Sequence, residues 1–138
     1  NEIKILSDGN VKPCNIVTKV YPGFPTDLQA QWIALMCKSS GESIVEDTIY
    51  TDRFTHVPEL IRLGANITMD NNKAKIRGVE SLYSANVMST DIRASACLII
   101  AGIISKGTTH LSRIYHIDRG YESIENKLKK INANIKRI

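Results

Sequence analysis

An α/β fold of two similar units is predicted by three observations: a skeleton of motifs that occurs twice in register, strand-like and helix-like patterns that alternate through both copies, and one helical segment apolar nearly all round. In the first copy Thr26-Asp27-Leu28 opens a helical pattern, Asp52-Arg53 follows a strand-like run, and Ala65-Asn66-Ile67 comes next. Thr90-Asp91-Ile92, Asp118-Arg119 and Ala133-Asn134-Ile135 repeat that order at offsets of 64, 66 and 68 residues. Self-similarity at nearly fixed offset marks an internal duplication with small loop insertions. Its matched positions include one carboxylate and one arginine per copy, so two units can lend charged groups to one shared site.

The elements follow in order. Residues 3–6 and 15–20 read as short strands around the turn formers Ser7, Asp8, Gly9 and Asn10. Tyr21-Pro22-Gly23-Phe24-Pro25 is a turn, because proline fixes φ and glycine tolerates the left-handed region. It delivers Thr26 as a helix N-cap, and Gln29 three residues on completes a capping-box pattern. Leu28, Trp32, Leu35 and Met36 form the apolar stripe of that helix, which Gly41 stops. Residues 43–50 read as a strand. The loop Thr51-Asp52-Arg53-Phe54 leads to a short helix over 57–63, with Pro58 in its permissive first turn and Gly64 past its end. Residues 66–69 and 73–77 form a hairpin across Asp70-Asn71-Asn72.

In the second copy the helix over 91–104 is apolar through 94–104 apart from Ser95, the pattern of a helix buried on most sides. Lys106-Gly107 ends it. Residues 108–114 are the next strand, Asp118-Arg119-Gly120 the next loop, 121–131 an amphipathic helix and 134–137 a last strand. The order is strand, helix, strand, helix, strand, twice.

Composition narrows the function. At 138 residues, 43% hydrophobic and 23% charged, the chain is of a size and balance that folds around one core. The formal charge of +4 comes from 18 Lys and Arg against 14 Asp and Glu, with much of the excess in Lys127, Lys129, Lys130, Lys136 and Arg137. A nucleic-acid partner would want a basic stripe with interleaved aromatics, and aromatics are only 6%. The longest apolar run, 94–104, is far short of the roughly 20 residues that cross a bilayer, so no membrane is expected. Cys14, Cys37 and Cys97 are odd in number and lack metal-ligand spacing, which fits a reducing cytoplasm and no disulfide framework. Cys37 and Cys97 read as small buried hydrophobes, and none of the three as a nucleophile. The first residue, Asn1, directly precedes a strand-like run, which reads as a cut through a longer protein.

The candidate chemistry lies in the repeated positions. Asp27 and Asp91 each follow a threonine at a predicted helix start. An acid there opposes the positive helix end, a stabilisation of about 0.3 to 1 kcal/mol. Alternatively, the two carboxylates face one cleft, where one takes a proton from a substrate hydroxyl. Arg53 and Arg119 sit in matched loops after an aspartate, either as local Asp-Arg pairs or as guanidinium forks for phosphate or carboxylate. Arg93 begins an otherwise apolar helix, where it would lie partly buried without an anionic partner. Together the three arginines point to a small polyanionic substrate. His56, His110 and His116 show no metal spacing and read as packing or surface residues; no metal site is expected.

Four stretches, YPGFPTDLQAQ from Tyr21, DRFTHVPELIRLGANI from Asp52, VMSTDIRASA from Val87 and RIYHIDRGYESIENKL from Arg113, closely resemble the C-terminal part of the UDP-N-acetylglucosamine enolpyruvyl transferases, or 1-carboxyvinyltransferases. The resemblance implies an inside-out α/β barrel lobe of repeated βαβαββ units, with residues 1–138 forming most of the C-terminal lobe and the N-terminal lobe absent. It implies a cytoplasmic step of peptidoglycan synthesis, in which the enolpyruvyl group of phosphoenolpyruvate passes to the sugar 3-hydroxyl and phosphate is released without any cofactor. By the same resemblance Asp27 contacts the sugar as base, Ile49 contacts the UDP-sugar, Asp91 stands beside the tetrahedral intermediate, and Arg53, Arg93 and Arg119 hold the phosphate and carboxylate of phosphoenolpyruvate. The family's reactive cysteine and anion-binding lysine belong to the other lobe, so this chain alone is expected to be inactive. The alternatives are a non-catalytic UDP-sugar or anion-binding lobe, and the sibling transferase acting on shikimate 3-phosphate, which PGFPTD and YHIDRGYE disfavour.

Overall fold

Apolar and charged residues alternating along 73–77 help to produce a sheet with one covered face in the computed structural model, which describes residue 2 and residues 4–138. Ser43 and Val45 of β2 (Glu42–Glu46) and Ala74 and Ile76 of β4 (Lys73–Arg77) are buried, and Lys73, Lys75 and Arg77 stand in solvent, the period-two alternation of a half-covered sheet. β1 (Ile16–Val17) runs parallel to β2, β4 antiparallel to β2, and β3 (Asn66–Asp70) antiparallel to β4, giving the order β1-β2-β4-β3. The hairpin turns through Asn71 at φ 52°, a left-handed conformation that asparagine tolerates. Helices α1 (Gln29–Met36) and α2 (Val57–Arg62) pack on this sheet. α1 also packs along α3 (Ile92–Ile104) of the second unit.

That second unit holds a parallel pair, β5 (Asn86–Met88) and β6 (His110–Ser112), then α4 (Tyr115–Asp118) and α5 (Ile124–Lys129). The duplication is therefore visible as two parallel strand pairs, each joined across a helix, with α1 and α3 as the central contact. Ile33, Met36, Leu60, Leu63, Ile76, Leu82 and Leu98 are fully buried around it. Each such side chain contributes about 1.5 to 3 kcal/mol of burial.

Several expected elements come out differently. Of the first expected strand, Ile3 lies outside the described residues, and residues 4–6 form no strand; Ile5 and Leu6 are largely exposed. The strand expected over 15–20 shortens to β1, because the Asn15 side chain accepts from Ile44 N in place of a ladder bond. Thr26 is not a helix N-cap. It opens a single 3-10 turn, Thr26–Leu28, whose N-cap is Pro25, and its hydroxyl is taken by Asp47. The strand over 43–50 stops at Glu46, where the Asp47 carboxylate draws the next amides into a turn. β5 was not expected; at three residues it has too little alternation to read.

The helix over 91–104 is buried on every side only over 94–98; beyond that Ala101 is buried, while Ile100, Ile103 and Ile104 are 37–40% exposed. The strand over 108–114 shortens to β6, and the loop at Asp118 is the end of the one-turn α4. The helix over 121–131 shortens to α5, which Ser123 enters at φ 47°. Residues 134–137 form no strand. Their counterpart β3 is held by its pairing with β4, and 134–137 pair with no strand among the described residues.

Gly78 marks the tightest backbone approach. A Cβ there would stand 1.8 Å from the Ser39 carbonyl oxygen, while Gly78 N donates to Gly41 O at 2.9 Å. Gly78→Ala is expected to cost about 3 kcal/mol by forcing two main-chain segments apart. Gly9→Ala, at φ 82° with open space around it, is expected to cost about 1 kcal/mol. Urea unfolding midpoints at unchanged slope measure both; equal small losses would show that the Ser39 segment yields.

Candidate active site

Asp27, Arg53 and Arg93 meet although they come from three segments and both units. Asp27 sits in the 3-10 turn before α1, Arg53 in the loop before α2, and Arg93 in the first turn of α3. All three guanidinium contacts fall on Asp27 Oδ1: Arg53 Nη1 at 3.2 Å, Arg93 Nε at 2.6 Å and Arg93 Nη2 at 2.5 Å. Oδ2 takes no partner among the described residues, and the Asp27 side chain is 63% exposed. The arrangement is a carboxylate with one oxygen clamped by two cations and one oxygen open to solvent. It also answers the question of Arg93, whose anionic partner comes from the other unit.

Arg53 is held on two further sides. Its Nη1 donates to Thr26 Oγ1 at 3.0 Å, and its Cζ lies 3.9 Å from the centre of the Tyr50 ring, a cation–π contact. The local pairs weighed from sequence do not form: Arg53 pairs with Asp27, not Asp52, and Asp118 pairs bidentately with Arg137 at 3.0 and 2.5 Å. That contact holds the Asp118 carboxyl below its usual range. Arg119 has no ion pair among the described residues.

Asp91 does two things. As N-cap of α3 its Oδ1 accepts from Arg93 N at 2.7 Å and Ala94 N at 3.0 Å, the helix-start role read from sequence. It also lines a cleft of about 340 Å³ with Thr90, Ile92, Arg93, His116 and Arg119. Arg93 thus belongs to both the Asp27 clamp and this cleft. Gly120 lets the Arg119 loop close on α3, since a Cβ there would fall 2.4 Å from Ile92 Cδ1. Thr55 Oγ1 and Thr90 Oγ1 hydrogen-bond at 2.9 Å, tying the Arg53 loop to the cleft. Ile49 neither lines the cleft nor contacts Asp27 by hydrogen bond, and is 40% exposed in the turn after β2.

Sequence reasoning missed Thr26, Asp47, Tyr50 and Thr90 as parts of the site, and read His116 as packing or surface. Only His116 left a usable signal, since it lies three residues before Arg119 and the two share a face of one helical turn. Gln29 is the counterpart of Arg93 at offset 64, yet it is wholly buried with both amide atoms unpartnered among the described residues. The copies have diverged at this position from cation to neutral amide.

His56 is buried, stacked on Phe54, and its Nε2 has no partner among the described residues. Burial pushes its pKa down to about 4, against the opposing charge of Asp91, so the ring is neutral at pH 7. Between about 6.5 and about 4 the unfolded chain binds one more proton than the folded one. Stability therefore falls as pH drops through that window, by about 3 kcal/mol in total. His56→Leu is expected to flatten the slope of melting temperature between pH 6.5 and 4.5 relative to wild type; parallel slopes would contradict the neutral buried ring. Burial likewise pushes the Cys37 thiol up to about 12 and Cys97 well above the usual range, leaving neither a ready thiolate. Among the described residues no group of three or more His, Cys, Asp or Glu could hold a metal ion, and no helix is long and apolar enough to cross a membrane.

Comparison with known proteins places this geometry. The family described as EPSP synthase (3-phosphoshikimate 1-carboxyvinyltransferase) matches residues 2–128. The chain is 59% identical over 125 residues, 91% of its length, to the UDP-N-acetylglucosamine 1-carboxyvinyltransferase of Chloroherpeton thalassium, of which it spans 29%. It is 51% identical over all 138 residues to that of Geotalea uraniireducens, of which it spans 33%. Among solved structures, the enolpyruvyl transferase NikO from Streptomyces tendae superposes with a TM-score of 0.85 at 25% identity, over 94% of this chain and 30% of NikO. EPSP synthase from Acinetobacter baumannii shares the fold, with a TM-score of 0.62 at 13% identity over 82% of this chain. The chain spans about a third of the length of the curated relatives it matches. It has the enolpyruvyl transferase fold, and it belongs to the family of 1-carboxyvinyltransferases.

Proposed function

We propose that the protein carrying this chain transfers the enolpyruvyl group of phosphoenolpyruvate to the 3-hydroxyl of UDP-N-acetylglucosamine, releasing phosphate, in the cytoplasmic step that commits the sugar to peptidoglycan for cell growth and division. Residues 1–138 are most of its C-terminal lobe, and an N-terminal lobe closes over them to complete the site. The observation that carries this reading is the Asp27 clamp: one carboxylate oxygen is held by two guanidiniums from two units, and the other is open beside a cleft containing a third arginine.

In this reading Asp27 Oδ2 takes the proton of the sugar hydroxyl as its oxygen adds to C2 of phosphoenolpyruvate while C3 takes a proton from an acid outside these residues; loss of a C3 proton then restores the double bond and expels phosphate. Arg53, Arg93 and Arg119 hold the phosphate and carboxylate of that substrate. Fixed cations aimed at the anion are worth several kcal/mol in a water-poor cleft. Asp27 occupies two of these cations in the free protein, so the arriving anion competes for them and releases the carboxylate as base. Asp91, rigid as a helix cap, stands beside the tetrahedral intermediate, and Ile49 packs against the UDP-sugar.

The match to the 3-phosphoshikimate 1-carboxyvinyltransferase family favours one second reading, in which shikimate 3-phosphate is the acceptor. Isothermal titration of the full-length protein with each acceptor decides between them. UDP-N-acetylglucosamine is expected to bind more tightly; tighter binding of shikimate 3-phosphate would overturn the assignment, and no binding of either would overturn both.

A further inference from the structure

Asp47 directly follows the last residue of β2, and its side chain is fully buried although no cation contacts it among the described residues. Four donors satisfy it instead. Oδ1 accepts from Thr18 Oγ1 at 2.7 Å, Ile49 N at 2.9 Å and Tyr50 N at 2.8 Å, and Oδ2 accepts from Thr26 Oγ1 at 2.7 Å. A buried carboxylate without a counter-ion needs such complete satisfaction, because each missing bond leaves a charged acceptor desolvated.

Three of these bonds lead to Arg53. A threonine hydroxyl has one proton. With that proton given to Asp47, Thr26 Oγ1 can act toward Arg53 only as an acceptor, the role found in its 3.0 Å contact with Nη1. The bonds to Ile49 N and Tyr50 N fold residues 47–50 into the turn that brings the Tyr50 ring to 3.9 Å from Arg53 Cζ. Nη1 is thereby committed to Thr26 and Asp27, and Nη2 and Nε take no acceptor among the described residues, which leaves them for an anion.

We infer that Asp47 is a positioning residue for Arg53, orienting its guanidinium through the Thr26 hydroxyl and the Tyr50 ring without touching the substrate. This rests on the reading of Arg53 as an anion-binding group. Asparagine cannot replace it. Its amide nitrogen would face either Thr26, which then loses the acceptor for its proton, or the three donors at Oδ1.

The test uses the full-length protein with Asp47→Asn, Thr26→Val, Thr26→Ser and Arg53→Ala. Asp47→Asn and Thr26→Val are expected to raise the KM for phosphoenolpyruvate roughly 10- to 100-fold, the scale of a misplaced binding group. Thr26→Ser, which keeps the hydroxyl, is expected to stay near wild type. In the Arg53→Ala background Asp47→Asn should add less than about twofold, since coupled residues are not additive. An unchanged KM, or the same loss with and without Arg53, would overturn the inference. Side-chain NMR of Arg53 without substrate provides a readout independent of turnover. Its Nη protons should exchange faster in Asp47→Asn and Thr26→Val than in wild type and Thr26→Ser. That pattern in a protein lacking transferase activity sinks the functional reading and keeps the positioning role; its absence sinks the positioning role.

Discussion

Asparagine in place of Asp27 is expected to lower kcat of the full-length protein by about 10²- to 10⁴-fold, the range for a lost general base. The KM for phosphoenolpyruvate should stay level or fall. The two halves of this expectation have separate causes. The amide has the size of the carboxylate but cannot accept the hydroxyl proton at the position of Oδ2. It also carries no charge, so Arg53 and Arg93 no longer divide their attraction between Asp27 and the arriving anion. Stability should change little, because the Asp27 side chain is 63% exposed and exposed pairs are worth about 0 to 1 kcal/mol. Initial rates of phosphate release, with both substrates varied, measure the split. A kcat within threefold of wild type would remove Asp27 from the chemistry. A KM rising in step with a falling kcat would mean that the carboxylate serves only to hold the arginines.

The second large effect is expected at Arg93. It contacts Asp27 through Nε and Nη2, and it also lines the cleft with Asp91 and Arg119, so one guanidinium joins the Asp27 clamp to the cleft. Arg93→Met keeps the apolar stem that packs at the start of α3 and removes the charge. Loss of one preorganised cation at developing charge costs about 10²- to 10³-fold in kcat/KM. Arg93→Lys should recover part of this and no more, since an ammonium restores charge without the planar fork. The same phosphate-release assay, combined with a melting curve, separates this from unfolding. Activity of Arg93→Met within fivefold of wild type would leave the cleft without its expected anion grip.

The repeated skeleton makes the two-unit α/β order legible in the sequence, because duplication fixes order and offset together. Thr90-Asp91 led to the start of α3 and the nearly all-apolar 94–104 segment to the helix at the centre, whereas Thr26-Asp27 opens a 3-10 turn ahead of α1. What local sequence could not supply was pairing across units. Arg93 lies two residues from Asp91, yet its side chain reaches Asp27, 66 positions earlier. Arg53 directly follows Asp52 and turns instead to Asp27 and Tyr50. Asp47 was illegible for a similar reason: it fell inside the expected strand over 43–50, and only the fold brings two threonine hydroxyls onto it. Strand lengths were overestimated wherever a side chain replaced a ladder bond, as Asn15 does for Ile44 and Asp47 for Ile49.

The central claim is that two units of this chain build half of an enolpyruvyl transfer site around Asp27. The most direct measurement is a single incubation of the full-length protein with phosphoenolpyruvate and UDP-N-acetylglucosamine, followed by mass spectrometry of the sugar nucleotide and a phosphate assay. The account predicts the 3-O-(1-carboxyvinyl) sugar nucleotide and phosphate in equal amounts, with neither formed by Asp27→Asn above a trace. Phosphate release without the carboxyvinyl product, or full turnover by Asp27→Asn, would contradict it.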